Sequence, residues 1–424
     1  MTANATGLDR SSWLSRLCEH LPQPSTHRSG QRRHNLATAT LPSPRLEHWR
    51  FTDLASLRHL DLAALHQRTS LSGLPGAGPG ALRLSLDAAG GWVDGKGRPV
   101  AWPAGLEPMA AAEIEAALGR AAERCAQHQR DARRLGQELN DISAGPVLGL
   151  KVRGAGLPAL ELVLQPAAAH AWLAPRVLLQ LEANSRLELL WSLRCNSTAV
   201  LLPTLEAELG EGASLHEALL AQGHGTASLF ATSAILQGRH SDYRRTGVVW
   251  GWGLSREEPR VVQVQGAAGT SLRGLAVARD DSLLDTHSLV RFEGPDGRLD
   301  QCHQALADNA GRSVFNGSVQ VPRPAQGTDA AQLSRNLLLS DHARIDTKPE
   351  LEIVADDVKC THGATISRLR DDELFYLQSR GISRHQAARL LQRGFFDAVV
   401  RQLPAVAAPW SPLQALLGAS EVRP

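Results

Sequence analysis

The sequence predicts a mainly β protein whose core is flanked by helical regions at its N-terminal and C-terminal ends. Residues 145–368 contain short alternating runs of apolar and polar residues, with tight turns between them and no intervening helical pattern. Residues 1–144 and 369–424 instead contain stretches in which apolar residues recur at helical spacing. We therefore divide the chain at these boundaries into an N-terminal helical and mixed region, a β core and a C-terminal helical domain.

Composition excludes several classes of protein. The 424 residues carry a formal net charge of +2, so no overall field recruits nucleic acid or an anionic membrane surface. No apolar run approaches the roughly 20 residues that a membrane-spanning helix needs. Five scattered cysteines without a CxxC pair indicate a reducing compartment and argue against a self-contained metal site. We expect a cytoplasmic protein, with the plastid stroma as alternative because residues 24–45 are rich in Ser, Arg and His.

The N-terminal region is predicted to be helical over residues 7–70, around a connector rich in Pro and Ser. Within it the stretch HWRFTDLASL, at 48–57, predicts an anchor in which Trp49 and Phe51 pack on the main body. A single long helix is predicted at about 110–140, where apolar residues recur at helical spacing.

The β core shows seven short runs of strand character. These runs are LELVLQ (160–165), RVLLQLEA (176–183), LELLWSL (187–193), HEALLAQG (216–223), RVVQVQG (260–266), LVRFEG (289–294) and SVQVP (318–322). Small residues precede several of them, and the leucines that close these corners are separated, with Leu187, by 28, 14 and 43 residues. Spacings near multiples of 14 favour a β-solenoid of stacked coils. A sandwich or barrel remains open on this pattern alone.

The C-terminal region predicts a helix over 372–379, with Gly381 just beyond its end, and a second helix that opens with a capping box at Ser383 and Gln386. The apolar stripe of the second helix is predicted to consist of Ala387, Leu390, Leu391, Gly394, Phe395 and Ala398. Phe396 lies off this stripe and is expected to be exposed. A short helix over 411–417 ends the region.

The densest chemistry lies at Cys360 and His362. On a strand these two side chains point the same way, roughly 7 Å apart. Thiolate and imidazole are common ligands of iron and related metals. Two ligands on one strand do not complete a four-coordinate site, so further ligands would come from another chain or from sulfide. The alternative is a buried cysteine beside a hydrogen-bonded histidine, and we interpret His287 and His303 in that structural sense.

Three motifs closely resemble the signature of the SufB/SufD family of iron–sulfur assembly subunits. They are DTKPELEI at 346–353, DDVKCTHGAT at 356–365 and FYLQSRGI at 375–382. The third motif is shared by both branches of the family. The SufB branch typically reads EHEAT where this chain reads THGAT, so the chain resembles the SufD branch. HWRFTDL also resembles the family's N-terminal element.

The resemblance implies a right-handed parallel β-helix core and a non-catalytic scaffold role in a SufBCD complex. It implies pairing with SufB through the end of the β-helix, where His362, with Cys360 beside it, would act in cluster assembly and bind metal only jointly with SufB. Whether the chain forms a homodimer without SufB stays open. The family complex is associated with a reduced flavin, but no motif here locates one, and no cofactor is expected on this chain alone. The C-terminal helices would dock the ATPase SufC, and the residues expected to contribute are Phe375, Tyr376, Arg380, Phe395 and Phe396.

Three alternatives are weighed against this interpretation. A SufB-like paralogue would share the fold. A β-helix enzyme acting on polysaccharide would need clustered acidic and basic residues, whereas the charges here are dispersed. A Cys–His hydrolase would need a hydrogen bond of about 3 Å, which two residues on one strand do not make. The sequence contains no GxxxxGK[ST] phosphate loop and no GxGxxG motif after a strand, so neither ATP hydrolysis by that route nor dinucleotide binding is predicted.

Overall fold

A computed structural model describes residues 8–23, 27–87, 89–127 and 133–418 of the chain. Its core is a β-solenoid of about eight turns, in which two long sheets face each other. From residue 204 onward, consecutive strands alternate between the sheets, and the neighbours within each sheet are parallel. The mainly β prediction is therefore confirmed, and among the open alternatives the solenoid is correct.

The first sheet contains ten strands. They are β1 (Leu82–Leu86), β2 (Trp92–Asp94), β5 (Leu160–Leu164), β8 (Arg186–Arg194), β11 (Ser214–Gln222), β13 (Asp242–Trp250), β15 (Gly269–Ala278), β17 (Arg298–Ala307), β19 (Asp329–Leu338) and β21 (Lys359–Ser367). The second sheet contains eleven. They are β3 (Leu106–Pro108), β4 (Val147–Val152), β6 (Ala171–Leu173), β7 (Arg176–Leu181), β9 (Ala199–Leu201), β10 (Thr204–Leu209), β12 (Ser228–Gln237), β14 (Leu254–Gln263), β16 (Leu283–Phe292), β18 (Arg312–Val321) and β20 (Arg344–Ile353).

Strand register gives the length of one coil. Arg186 on β8 pairs with Ser214 on β11, and Ser214 pairs with Asp242 on β13, so each of these coils takes 28 residues. One coil therefore spans two of the 14-residue intervals that the leucine spacing indicated. At several corners a single residue adopts a left-handed backbone, as Asn309 does at φ 54°. Asn and Asp tolerate that conformation better than most residues, which suits them to these turns.

The N-terminal region packs on the outer face of the second sheet. Its described residues form eight helical elements, five α-helices and three 3₁₀ helices, all of which precede β4 in the chain. The helices are α1 (Trp13–His20), α2 (His27–Ala37), α3 (Ala111–Ala117), α4 (Arg120–Ala126) and α5 (Leu135–Ile142), and the 3₁₀ helices cover Glu47–Trp49, Ala55–His59 and Leu62–Ala64. Trp49 is fully buried, as expected of an anchor, whereas Phe51 is half-buried.

The prediction of one long helix at 110–140 was wrong. Three short helices occupy the described part of that stretch, and residues 128–132 lie outside the described residues. Gly119 separates α3 from α4 with a φ of 78°, a left-handed conformation that ends the first helix. The apolar spacing continued through this glycine, so periodicity alone did not reveal the break.

The C-terminal helices run back along the outer face of the first sheet. They are α6 (Asp371–Gln378), α7 (Arg384–Val400), a 3₁₀ helix (Ala405–Trp410) and α8 (Pro412–Gly418). The capping box between Ser383 and Gln386 is confirmed, and Gly381 is left-handed at φ 83°. At the far end Trp410 Nε1 donates a hydrogen bond of 2.6 Å to Glu161 Oε1 on β5. The tail thus spans most of the coils, from the last to one of the first.

The prediction named the wrong face of α7 as the one that packs against the solenoid. Ala387, Gln392, Phe396 and Val399 are buried, whereas Leu390 remains 46% exposed. Phe396, expected to be exposed, has no exposed surface and packs among apolar residues of the first sheet and the 3₁₀ helix. Phe396 therefore attaches the tail to the solenoid. Since its side chain is fully buried, it is not accessible for the expected contact with SufC.

No helix within the described ranges is long and apolar enough to cross a membrane.

Candidate functional site at the open end of the solenoid

The last coil of the solenoid is not covered by a further coil among the described residues. β20 pairs only with β18, and β21 pairs only with β19. Most residues of both strands are exposed or half-buried, in contrast to the almost continuous burial of β14. The two final strands thus present unpaired edges and side chains that an additional coil, or another protein, would cover.

The structure brings Cys360 and His362 to this open end. On β21 Cys360 pairs with Ala330 and His362 pairs with Gln332 on β19, and both of those partners are buried in the interior. Since paired residues point the same way, Cys360 and His362 occupy inward-facing positions of the last coil. Cys360 is nevertheless half-buried and His362 exposed. The predicted shared orientation is confirmed, and exposure follows from the missing next coil.

A ladder of buried polar side chains lies beneath His362. Gln332 Nε2 donates to Gln301 Oε1 at 2.9 Å, and Gln301 Nε2 donates to Ser288 Oγ at 2.7 Å. Ser288 lies on the second sheet, so this ladder crosses the interior of the solenoid. Gly317 leaves the room for it, because a Cβ there would lie 2.3 Å from Gln332 Nε2. The sequence did not reveal this ladder, although Gln301 and Gln332 each lie at an inward position of a strand.

The thiol at this end is not activated by its surroundings. Burial raises the pKa of Cys360, and the nearby Asp329 carboxylate raises it further. A cysteine with a raised pKa is mostly protonated near neutral pH and is a weak nucleophile and metal ligand. Within the described ranges no group of three or more His, Cys, Asp or Glu side chains is arranged to hold a metal ion. Additional positive charge or ligands from outside the chain would therefore be needed to engage this thiol.

Apolar side chains surround the open end. Ile353, Val354 and Ile366 are large hydrophobic residues that remain between 41% and 52% exposed. They lie on or directly after β20 and β21. Exposed apolar residues next to unpaired strand edges are typical of a protein–protein interface.

A second exposed surface lies on α6. Phe375 is 72% exposed and Tyr376 is 56% exposed. The Arg380 guanidinium lies 3.7 Å from the centroid of the Tyr376 ring. Phe395, on α7, is half-buried, and its backbone oxygen accepts a hydrogen bond from Gln304 of β17. The structure therefore presents Phe375, Tyr376 and Arg380 to solvent, while Phe395 belongs mainly to the tail's contact with the solenoid.

The other two histidines singled out in the sequence occupy different environments. His303 lies inside the solenoid, where its ring stacks on Phe315 with centroids 4.5 Å apart. Burial lowers the pKa of His303 to about 4. His287 faces outward on β16, and its Nε2 lies 3.0 Å from Asp285 Oδ1. His303 is thus a neutral interior residue, whereas His287 lines a cavity between the second sheet and the N-terminal region.

Comparison with known proteins agrees with this geometry. A family model described as "SUF system FeS cluster assembly, SufBD core domain" matches residues 164–395, more than half of the chain, including Cys360 and His362. An iron-sulfur cluster assembly SufBD family protein of Synechocystis is 43% identical over 199 residues, which cover 47% of this chain and 44% of that protein. The chloroplastic protein ABCI7 of Arabidopsis thaliana is 36% identical over 203 residues, covering 48% and 43%.

The iron-sulfur cluster assembly protein SufD of Escherichia coli is 39% identical over 124 residues, which cover 29% of each chain. The chain therefore matches less than half the length of each of these relatives. The family model nevertheless extends from the strand β5 to the helix α7. The chain belongs to the SufBD family of the SUF system of FeS cluster assembly.

Proposed function

We propose that this chain is a SufD-type, non-catalytic scaffold subunit that takes part in the assembly of iron–sulfur clusters. The observation that carries the proposal is the position of His362, an inward-facing residue that is exposed because no coil of the described residues covers it. Membership of the SufBD family supports the general role in the SUF system. The THGAT sequence around His362 supports the SufD branch over the SufB branch.

The open end is the surface that we assign to SufB. Unpaired edges of β20 and β21 would be covered by strands of the partner, and the exposed Ile353, Val354 and Ile366 would be buried. Iron and sulfide, the components of the cluster, would be bound at this interface as substrates of assembly. His362 would contribute an imidazole ligand, and Cys360 a thiolate once iron or a cationic group of SufB lowers its pKa. A second copy of this chain would cover the same surface when SufB is absent.

The exposed residues of α6 are the surface that we assign to the ATPase SufC. Phe375 and Tyr376 supply aromatic area at little conformational cost, and Arg380 adds charge at the edge of that area. The helix α6 follows β21 directly in the chain, so a displacement of α6 on binding SufC would also shift β21. The exposed strand carrying Cys360 and His362 gives a flavin ring no enclosing wall, so we propose no residue of this chain for that cofactor.

Two charged substitutions separate the two assigned surfaces. Ile366→Asp places a charge at the open end, and Tyr376→Asp places one on α6; both positions are exposed, so the fold is expected to survive. The measurement is pairwise co-purification of each variant with SufB alone and with SufC alone. We expect Ile366→Asp to lose SufB and keep SufC, and Tyr376→Asp to do the reverse. Retention of both partners by both variants would show that the assignment is wrong.

A further inference from the structure

Two adjacent cavities, which share three lining residues, lie between the N-terminal region and the outer face of the second sheet. The outer cavity has a volume of about 220 Å³ and the inner one about 40 Å³. His48, His287 and Asn316 line both. The roof is the 3₁₀ helix Glu47–Trp49 with the two residues that follow it, and the floor is formed by β16, β18 and β20. Two stretches singled out in the sequence, HWRFTDL and DTKPELEI, thus meet at one place.

The inner cavity is rich in hydrogen-bond donors. Arg133, Arg256 and Arg260 line it together with the two histidines, and Glu350 is its one acidic lining residue. Buried carboxylates behind this lining hold Arg256 in place: its Nη1 lies 2.6 Å from Asp285 and its Nε lies 2.9 Å from Glu258.

Glu258 keeps its negative charge in this environment. Burial raises the pKa of Glu258, but Arg260 and Arg256 lower it by more, to about 2. A guanidinium carries five N–H donors, so the pairing of Arg256 with two carboxylates leaves it the capacity to donate to a further oxygen ligand.

Asn316 is the second, independent feature of the site. Its side chain is only 9% exposed, and it has no hydrogen-bond partner among the described residues. The His48 ring is likewise without a hydrogen bond within the described ranges, and its centroid lies 6.4 Å from that of His287. Asn316 lines both cavities, and neither polar atom of its side chain is sealed from the accessible space there. The amide and the His48 ring are therefore positioned to donate hydrogen bonds to an oxygen-bearing ligand in the cavity.

The outer cavity has a different character. Phe51 and Val314 provide apolar wall, and Arg50 stands at the exposed rim. Lys348 is already engaged, since its Nζ lies 2.6 Å from Glu47 and 2.7 Å from Glu350. The outer cavity is therefore suited to the uncharged body of a ligand whose charged group enters the inner cavity.

We propose that these two adjacent cavities together bind a small organic anion, with its carboxylate or phosphate group in the inner cavity and its apolar body against Phe51 and Val314. The ligand would connect the N-terminal region to β16, β18 and β20, the last coils before the open end. Neither the residues nor the chemistry of this site depends on the proposed role in iron–sulfur assembly.

Three probes of similar size test the proposal on the full chain: phenyl phosphate, benzoate and the neutral benzyl alcohol. Binding is measured by ligand-observed NMR and by titration calorimetry at low and at moderate salt. We expect at least one anion to bind with a dissociation constant of about 1 mM or below, more weakly as salt increases, and the alcohol not to bind. The tighter of the two anions identifies the preferred charged group.

Asn316→Asp is the decisive variant, because it replaces a donor by a negative charge at nearly constant volume. We expect it to weaken anion binding by about 10-fold or more. Asn184→Asp, the same exchange at an exposed corner, is the matched control and should bind as the wild type does. His48→Gln, on the partly exposed roof, replaces Asn316→Asp if that variant does not fold. Equal binding of the alcohol, no binding of either anion, or undiminished binding by the site variant would each overturn the proposal.

Discussion

At the scale of single residues, the interior of this solenoid is unusual in its polarity. Arg245 lies inside the coils with Glu257 at 2.6 Å and Glu217 at 3.9 Å, and all three side chains are almost fully buried. Removing one partner of such a group leaves a buried charge uncompensated, so these residues hold one another in place. In the following coils, uncharged amides and His303 take over the interior positions. The interior therefore changes from charged to neutral hydrogen bonding toward the open end.

His303 gives this interior a predictable response to pH. Its pKa lies at about 4 in the fold, against the ordinary 6.5, because burial disfavours the charged ring. Between these values the unfolded chain binds more protons than the folded one, so the free energy of unfolding falls as pH falls. From pH 7 to pH 5 the contribution of His303 amounts to about 2 kcal/mol.

The check is urea unfolding of the wild type and of His303→Gln at both pH values. Glutamine has similar volume and no titrating group, so the variant should lose less stability between pH 7 and pH 5, by about that amount. Carboxylates titrate equally in both proteins and cancel in the difference. An identical pH dependence of the two proteins would contradict the placement of His303 in the dry interior.

At the scale of elements, we expect α6 and α7 to divide two tasks, with α7 attaching the tail to the solenoid and α6 binding a partner. Phe396 of α7 is fully buried against the first sheet, whereas Phe375 of α6 is largely exposed. Phe396→Ala should reduce the free energy of unfolding by about 3–5 kcal/mol, because it leaves a cavity under the tail. Phe375→Ala should change it by less than about 0.5 kcal/mol. Denaturant unfolding of both variants checks the stability difference.

Affinity for SufC should show the opposite order. Phe375→Ala is expected to weaken binding of SufC although the fold is intact, and Phe396→Ala to retain binding under conditions where the variant remains folded. Titration of each purified variant with SufC measures both. A stable Phe396→Ala protein, or a Phe375→Ala protein with unchanged SufC affinity, would contradict this division of tasks.

Sequence pattern predicted the elements better than their orientation. The capping box and the helix end at Gly381 were confirmed because each depends on local chemistry. The rotation of α7 was mispredicted since Leu390, Leu391, Phe395 and Phe396 supply two equally apolar faces, and only the shape of the first sheet selects between them. Gln392 is buried beside Arg279, and the spacing of apolar residues along the helix does not predict this contact.

At the scale of the whole molecule, the candidate site exists because the solenoid ends at β21 and leaves the inward-facing residues of its last coil exposed. Cys360 and His362 were identified from the sequence, and their shared direction followed from strand parity. The exposure of His362 did not follow, since it depends on the solenoid ending at β21. Polar inward positions such as Gln301 and Gln332 resemble solvent-facing residues in an alternating pattern, so the interior ladder also required the three-dimensional structure. The cavities beside His48 required contacts between segments more than 230 residues apart, as between Thr52 and Asp285.

The most direct measurement of the central claim is the cluster content of the assembled complex. The chain is co-expressed with SufB and SufC, purified without oxygen, and assayed for iron and acid-labile sulfide per complex, as wild type, His362→Ala and the control His59→Ala at an exposed N-terminal position. We predict that all three complexes form and that only His362→Ala loses most of its iron and sulfide. Full cluster content in His362→Ala would contradict an assembly role for the open end.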